Sequence, residues 1–127
     1  MIAVGMLVAG EDIPVTYDRL RSRLILPITD LRGRVIAFGG RALDGRQQPK
    51  YLNSPDTPLF RKGAVLFNAA AARGAAHQCG AVIVAEGYMD VIALTRAGFP
   101  NAVAPLGTAL TPEQVGLLWR LAPEPVL

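Results

Sequence analysis

Ten residues, Ala81 to Asp90 (AVIVAEGYMD), restrict the fold more than any other stretch of this chain. Ala81–Ala85 follows Gly80, is β-branched at Val82, Ile83 and Val84, and is too short to stand as a helix, so it reads as a buried strand. Glu86 then sits at the strand's carboxyl end. Gly87 permits a tight turn into Tyr88–Ala97, where Met89, Ile92, Ala93, Leu94 and Ala97 give the apolar face of a helix. Strand, turn and helix make half of a βαβ unit. In open α/β sheets ligands bind in the crevice outside the carboxyl ends of the strands, which is where Glu86 is placed. Asp90, in the first helical turn, can face the same crevice.

Two carboxylates at the mouth of a parallel sheet suit a hard divalent cation. Mg²⁺ takes one or two carboxylates and fills its octahedron with water and phosphate oxygen. A ligand-free reading stands beside this one. An acid in the first turn of a helix gains about 0.3–1 kcal/mol from the macrodipole alone, and an acid at a strand end can simply be solvated. The spacing leaves both open.

At 127 residues with 51% apolar content, the chain can bury one domain's core and does not have the composition of a disordered one. Its charge is unevenly placed. Between Asp18 and Lys62 ten bases face four acids, whereas after Gly63 only Arg73, Arg96 and Arg120 remain against Glu86, Asp90, Glu113 and Glu124. A basic half joined to an acid-bearing half suits a polyanion held by one and worked on by the other, although a solvated strand face gives the same count.

Cys79 and His77 are the only residues of their kinds. No disulfide can form within the chain, the pair is too few for a four-ligand zinc site, and a Ser-His-Asp or Cys-His hydrolase is hard to build. Cys79 is expected to be a small buried residue ahead of the strand. The apolar opening MIAVGMLVAG lacks a basic n-region and meets Glu11-Asp12, so it is read as neither a signal peptide nor a membrane span. The expected location is cytoplasmic.

Along the chain, Ile2–Val8 is either a helix end or a short strand. Arg19, Arg21 and Arg23 alternate, so an extended Tyr17–Arg23 would project all three from one face. Leu24–Ile28 is a strand placed near an edge by Pro27, and Asp30-Leu31-Arg32-Gly33 is a β-turn returning into Val35–Leu43. Gly39-Gly40 interrupts that second strand, marking a bulge or a close approach. Lys50–Asn53 is a short extended piece whose Lys50-Tyr51 pair suits phosphate contact plus base stacking, or ordinary packing. Ala64–Phe67 is a short apolar run. Ala69–His77 reads as a helix capped by Asn68, Ala102–Ala104 as a strand, and Thr111–Leu121 as a helix with Thr111 at its N-cap and Pro112 first inside. Val126-Leu127 looks like the start of a third strand.

At EGYMDVIAL the chain resembles the catalytic core of bacterial DNA primases of the DnaG type. The likeness is carried by GMLV near Met6, YDRLRSRLILPITDLRGRVIAFGGRAL (17–43), PKYLNSPDTPLFRKG (49–63) and VAEGYMDVIAL (84–94), with a weaker match through APLGTALTPEQ. It implies a mixed α+β and α/β fold. A mixed-sheet basic subdomain over residues 1–78 would precede a Toprim fold, Rossmann-like β-α-β-α, over residues 79–127. By this likeness Glu86 is the Toprim glutamate, a metal ligand or general base, and Asp90 its supporting acid. Arg41, Lys50, Tyr51 and Lys62 match positions that face template or incoming nucleotide.

The implied activity is metal-dependent nucleotidyl transfer with Mg²⁺ or Mn²⁺, making RNA primers from ribonucleoside triphosphates on single-stranded DNA. The resemblance also implies parts this sequence does not contain: an amino-terminal zinc-binding domain, a strand bearing an Asp-x-Asp pair after PEPVL, and a carboxyl-terminal domain that meets the replicative helicase. The chain is accordingly expected to be a fragment that does not polymerise alone. Two alternatives remain. Another Toprim enzyme, a topoisomerase or nuclease, leaves RGRVIAFGGR and PKYLNSP unexplained. A non-catalytic nucleic-acid or nucleotide-binding module keeps the basic face without full metal chemistry. A metabolic dinucleotide fold is disfavoured because no G-x-G-x-x-G follows the Ala81–Ala85 strand.

Overall fold

A computed structural model describes residues 2–107 and 109–127; Thr108, within the APLGTALTPEQ stretch, lies outside the described residues. Two compact units are present, one built from the chain up to Ile28 with Val35–Arg61, the other from Thr29–Arg34 with Lys62–Leu127. Among the described residues no helix is long and apolar enough to cross a membrane.

The first unit holds two small sheets. The apolar opening becomes strand β1 (Leu7–Val8), antiparallel to β2 (Tyr17–Asp18). Strands β3 (Arg23–Thr29), β4 (Val35–Ala42) and β5 (Tyr51–Asn53) form the second sheet in that order, so β3 is an edge, where Pro27 costs no interior ladder bond. The expected stripe of three arginines does not form. Strand β2 ends at Asp18, Ser22 turns the chain with φ 53°, and Arg23 is only 9% exposed, donating from Nη1 to the Lys50 carbonyl at 3.4 Å. Arg21 instead lies over the Tyr17 ring at 4.5 Å.

Gly39-Gly40 does not break β4, which pairs through both residues with β5. The reason for glycine is the close approach: a Cβ on Gly40 would meet Arg23 Cδ at 2.9 Å and Leu20 Cδ2 at 3.1 Å.

Between β3 and β4 the turn at Asp30 forms as the sequence suggests, with Gly33 at φ 79° and its N–H donating to the Asp30 carbonyl at 2.9 Å. The Asp30 carboxylate accepts from the Arg32 and Arg34 backbone N–H groups and pairs with the Arg34 guanidinium at 2.7 Å. Desolvation pushes this carboxyl up. The hydrogen bonds and charge of Arg34, with the Arg32 N–H, outweigh that and hold it below its usual value. A carboxylate depressed in the folded state stabilises above its unfolded pKa of about 3.9 and loses that contribution as pH falls through the lower folded value. The melting-temperature gap between the protein and Asp30→Asn should therefore be open at pH 6 and close on acidification below about 4; a gap independent of pH would contradict the pairing.

The second unit is a three-layer arrangement. Its sheet runs β6-β8-β7-β9, from β6 (Leu66–Phe67), β7 (Ala81–Val84), β8 (Ala102–Pro105) and β9 (Glu124–Val126). Strand β7 is parallel to both β8 and β9, and β6 is antiparallel to β8. The path β7–α2–β8 steps one way along the sheet, with α2 at Tyr88–Arg96; the path β8–α3–β9, with α3 at Pro112–Leu121, steps back past β7. Right-handed crossovers in opposite directions put the two helices on opposite faces.

Packing follows that topology. Val82 and Val103 turn to one face and pack with Leu118 and Leu121 of α3 and with Ala69, Ala72 and Ala76 of α1 (Ala69–Cys79). Ala102, Ala104, Ile83 and Ala85 turn to the other, against Val91 and Leu94 of α2. This is the period-two alternation of strands covered on both sides.

Two local expectations need correction. Asn68 precedes α1 with φ 67° but makes no side-chain cap; its Nδ2 donates to the Ala102 carbonyl at 3.0 Å, tying the helix start to β8 instead. Cys79 is exposed rather than buried, because it closes α1 on the solvent side just before Gly80 turns the chain at φ 75°. The third strand does form, though it comprises Glu124–Val126.

Candidate functional site

The chain leaves β7 toward α2 on one face of the sheet and leaves β8 toward α3 on the other, and such diverging connections open a crevice at the carboxyl ends of the strands. Glu86 lies two residues past the end of β7, and Asp90 lies in the first turn of α2. Gly87 links them in an extended conformation, φ −152°, so it is not a left-handed turn residue; a Cβ there would lie 3.7 Å from Asp90 Oδ2, in ordinary contact. The first turn of α2 is anchored by buried Tyr88, whose ring meets Phe67 of β6 edge-on, with centroids 4.7 Å apart.

Both carboxylates are exposed, and among the described residues neither is engaged in a hydrogen bond or ion pair. Their oxygens are thus available to a cation. No group of three or more His, Cys, Asp and Glu side chains that could hold a metal occurs among the described residues. The donor set fits a cation that keeps much of its water shell, as Mg²⁺ does, and does not fit a closed all-protein cage.

Lys62 belongs to this same unit, at the start of the 3-10 turn Lys62–Ala64. The unit also has a cleft of about 290 Å³, lined by Thr29, Arg32, Ala64, Leu66, Ala69 and Leu117, which includes none of the site residues expected from sequence.

Arg41, Lys50 and Tyr51 lie in the first unit. Arg41 and Tyr51 are directly opposite each other across β4 and β5, so their side chains share a face of that sheet. The Lys50 ammonium stands 5.8 Å from the Tyr51 ring centre, and both residues are exposed. Among the described residues Arg41 Nε is buried without a hydrogen-bond partner, and Arg19 Nε is in the same condition. A buried donor on a guanidinium left unmatched is costly unless an acceptor arrives, and a phosphate oxygen is the acceptor that a guanidinium matches best. Arg19 was visible in the sequence only as one of three alternating arginines; nothing local singled it out.

Residues 1–73 match the family described as the N-terminal domain of the DNA primase catalytic core, and residues 80–127 match the Toprim domain. A DNA primase of Pseudomonas aeruginosa is 51% identical over 124 residues, which is 98% of this chain and 18% of that protein. The chain therefore spans less than a fifth of that relative's length. Among solved structures, a DNA primase domain from Pseudomonas aeruginosa superposes with a TM-score of 0.91 at 50% identity, covering 98% of this chain and 39% of that one. A DnaG primase catalytic domain bound to single-stranded DNA superposes with a TM-score of 0.88 at 46% identity, covering 98% and 38%.

Proposed function

This chain belongs to the DnaG-type DNA primase family, with a primase catalytic-core N-terminal domain followed by a Toprim domain, and on that premise we propose that it is the part of a longer primase that holds template and nucleotide and presents the carboxylates of the polymerising site. The observation that carries this reading is the pair of unengaged carboxylates, Glu86 and Asp90, at the mouth of the parallel strands. The division into a basic subdomain over 1–78 and a Toprim part over 79–127 is included in the proposal.

Glu86 would hold Mg²⁺ or Mn²⁺, with Asp90 as its supporting acid. Bound there, the cation supplies neutralisation of charge on the transferring phosphoryl group. The protein's own residues do the rest by position. Arg41 and Lys50 meet phosphate oxygens, Tyr51 offers a ring on which a base stacks, and Lys62 brings a further cation to template or triphosphate. Because these contacts are mainly to phosphate, they track a strand without reading its sequence.

The test is the salt dependence of single-stranded DNA binding. Arg41→Ala and Lys50→Ala should each lower affinity and reduce the slope of log K against log salt by about 0.7–1, the loss of one phosphate contact. A slope unchanged in both variants would remove this face from the binding surface.

A second reading draws on the exposed Lys50 and Tyr51, a cation 5.8 Å from a ring that together suit phosphate contact and base stacking. On it, the 127 residues alone bind nucleic acid or nucleotide and do not polymerise, primer synthesis belonging to the longer protein. The DnaG catalytic domain with single-stranded DNA bound supports the template assignment. Ribonucleoside triphosphates, the RNA primer and the replicative helicase are the other partners this reading assigns to the whole enzyme.

A further inference from the structure

Gln114 is 1% exposed and every polar atom of its side chain is used. Its Oε1 accepts from the Thr111 N–H at 3.0 Å, while its Nε2 donates to the Lys62 carbonyl at 3.0 Å and to the Val65 carbonyl at 2.8 Å. Thr111 completes the arrangement. Its hydroxyl accepts from the Gln114 N–H and donates to the Gly63 carbonyl. The loop lies against the helix start so closely that a Cβ on Gly63 would meet Thr111 Cγ2 at 3.1 Å.

A capping box needs only the reciprocal Thr111–Gln114 bonds. Here the two capping side chains do a second thing: they grip the carbonyls of residues 62, 63 and 65, which bracket the 3-10 turn. The carbonyl of Lys62 itself is held, so the backbone from which that side chain springs is fixed to α3 by a buried amide. A flexible lysine presents a charge to phosphate only within the reach its root allows, and a misplacement of about 1 Å can cost as much as 10²-fold.

We propose that Gln114 is a positioning residue for Lys62, with Thr111 as its partner, so that the amino-terminal turn of α3 sets where the Lys62 ammonium meets template or nucleotide phosphate. The inference rests on the assignment of Lys62 made above. Gln114→Glu keeps the acceptor for the Thr111 N–H and loses both donors to the loop. Gln114→Leu loses all three bonds, and Thr111→Val releases the Gly63 carbonyl together with the Gln114 N–H.

The experiment places these variants in the full-length primase and measures KM for ribonucleoside triphosphate, kcat, Kd for single-stranded DNA, and melting temperature. Gln114→Glu should raise KM or Kd by about 10-fold, within the 10²-fold ceiling of a positional error, in protein that still melts cooperatively. The deciding arm is a double-mutant cycle with Lys62→Ala. If Gln114 acts through Lys62, then Gln114→Glu added to Lys62→Ala produces no further change in KM or Kd. Additive losses overturn the positioning role while leaving Lys62 in place. Full affinity in Lys62→Ala alone overturns the assignment of Lys62 and the inference with it. Should the Gln114 variants not fold, Thr111→Val carries the same cycle.

Discussion

Primer synthesis by a full-length primase carrying Glu86→Gln is expected to fall by roughly 10²–10³-fold, the cost of deleting one preorganised electrostatic contact from such a site. The change is nearly isosteric, removes the negative charge and leaves β7 untouched. Since Glu86 is exposed and holds no partner among the described residues, stability should move by no more than about 0.5 kcal/mol. Ribonucleotide incorporation on a single-stranded template, measured beside thermal melting, checks both halves. Activity within a factor of two of the parent would take Glu86 out of the chemistry, and a large drop in melting temperature would mean that its loss acts through folding.

The largest expected effect on stability comes from the opposite side of the same unit. Leu118→Ala should cost about 2–5 kcal/mol, because its side chain is 2% exposed within the cluster that joins α3 to α1, β7 and β8. Its neighbour Trp119 is larger yet 61% exposed, so Trp119→Ala should change stability by no more than about 0.5 kcal/mol. Urea unfolding of the two variants side by side separates them. Equal losses would mean that the helix presents a different face to the sheet.

Local chemistry made the second unit legible before any coordinates. The β-branched run at 82–84, the apolar spacing after Tyr88, and Thr111-Pro112 at a helix start each favour a conformation through near neighbours, and each element forms within a residue of where those rules put it. The errors were non-local. Alternating arginines at 19, 21 and 23 suggested an extended stretch, but Ser22 takes a positive φ and Arg23 is drawn under β4 to reach the Lys50 carbonyl. Of the two readings of Gly39-Gly40, the close approach holds and the bulge does not, and nothing in sequence shows that it is Arg23 and Leu20 that press on Gly40 from about twenty residues away. Asn68 spends its amide on a carbonyl 34 residues distant, which no capping rule anticipates.

In the site, the positions of Glu86 and Asp90 on strand end and helix turn follow from sequence, whereas the buried donors of Arg41 and Arg19 appear only once tertiary contacts are known. Gln114 was within reach of the sequence. Threonine followed three residues later by glutamine is a capping-box signature.

Both faces of the second unit's sheet are lined where they matter by alanine: Ala69, Ala72 and Ala76 on α1, Ala102 and Ala104 on β8. Where these methyl groups meet the valines and leucines of the facing layer, a larger side chain has nowhere to go except by pushing a helix outward. Such a unit should drift slowly over evolutionary time at its seams and freely on its outer helix surfaces. A designer wishing to graft new chemistry onto the carboxyl ends of β7 and β8 would do best to leave those five alanines alone and vary the loops above them.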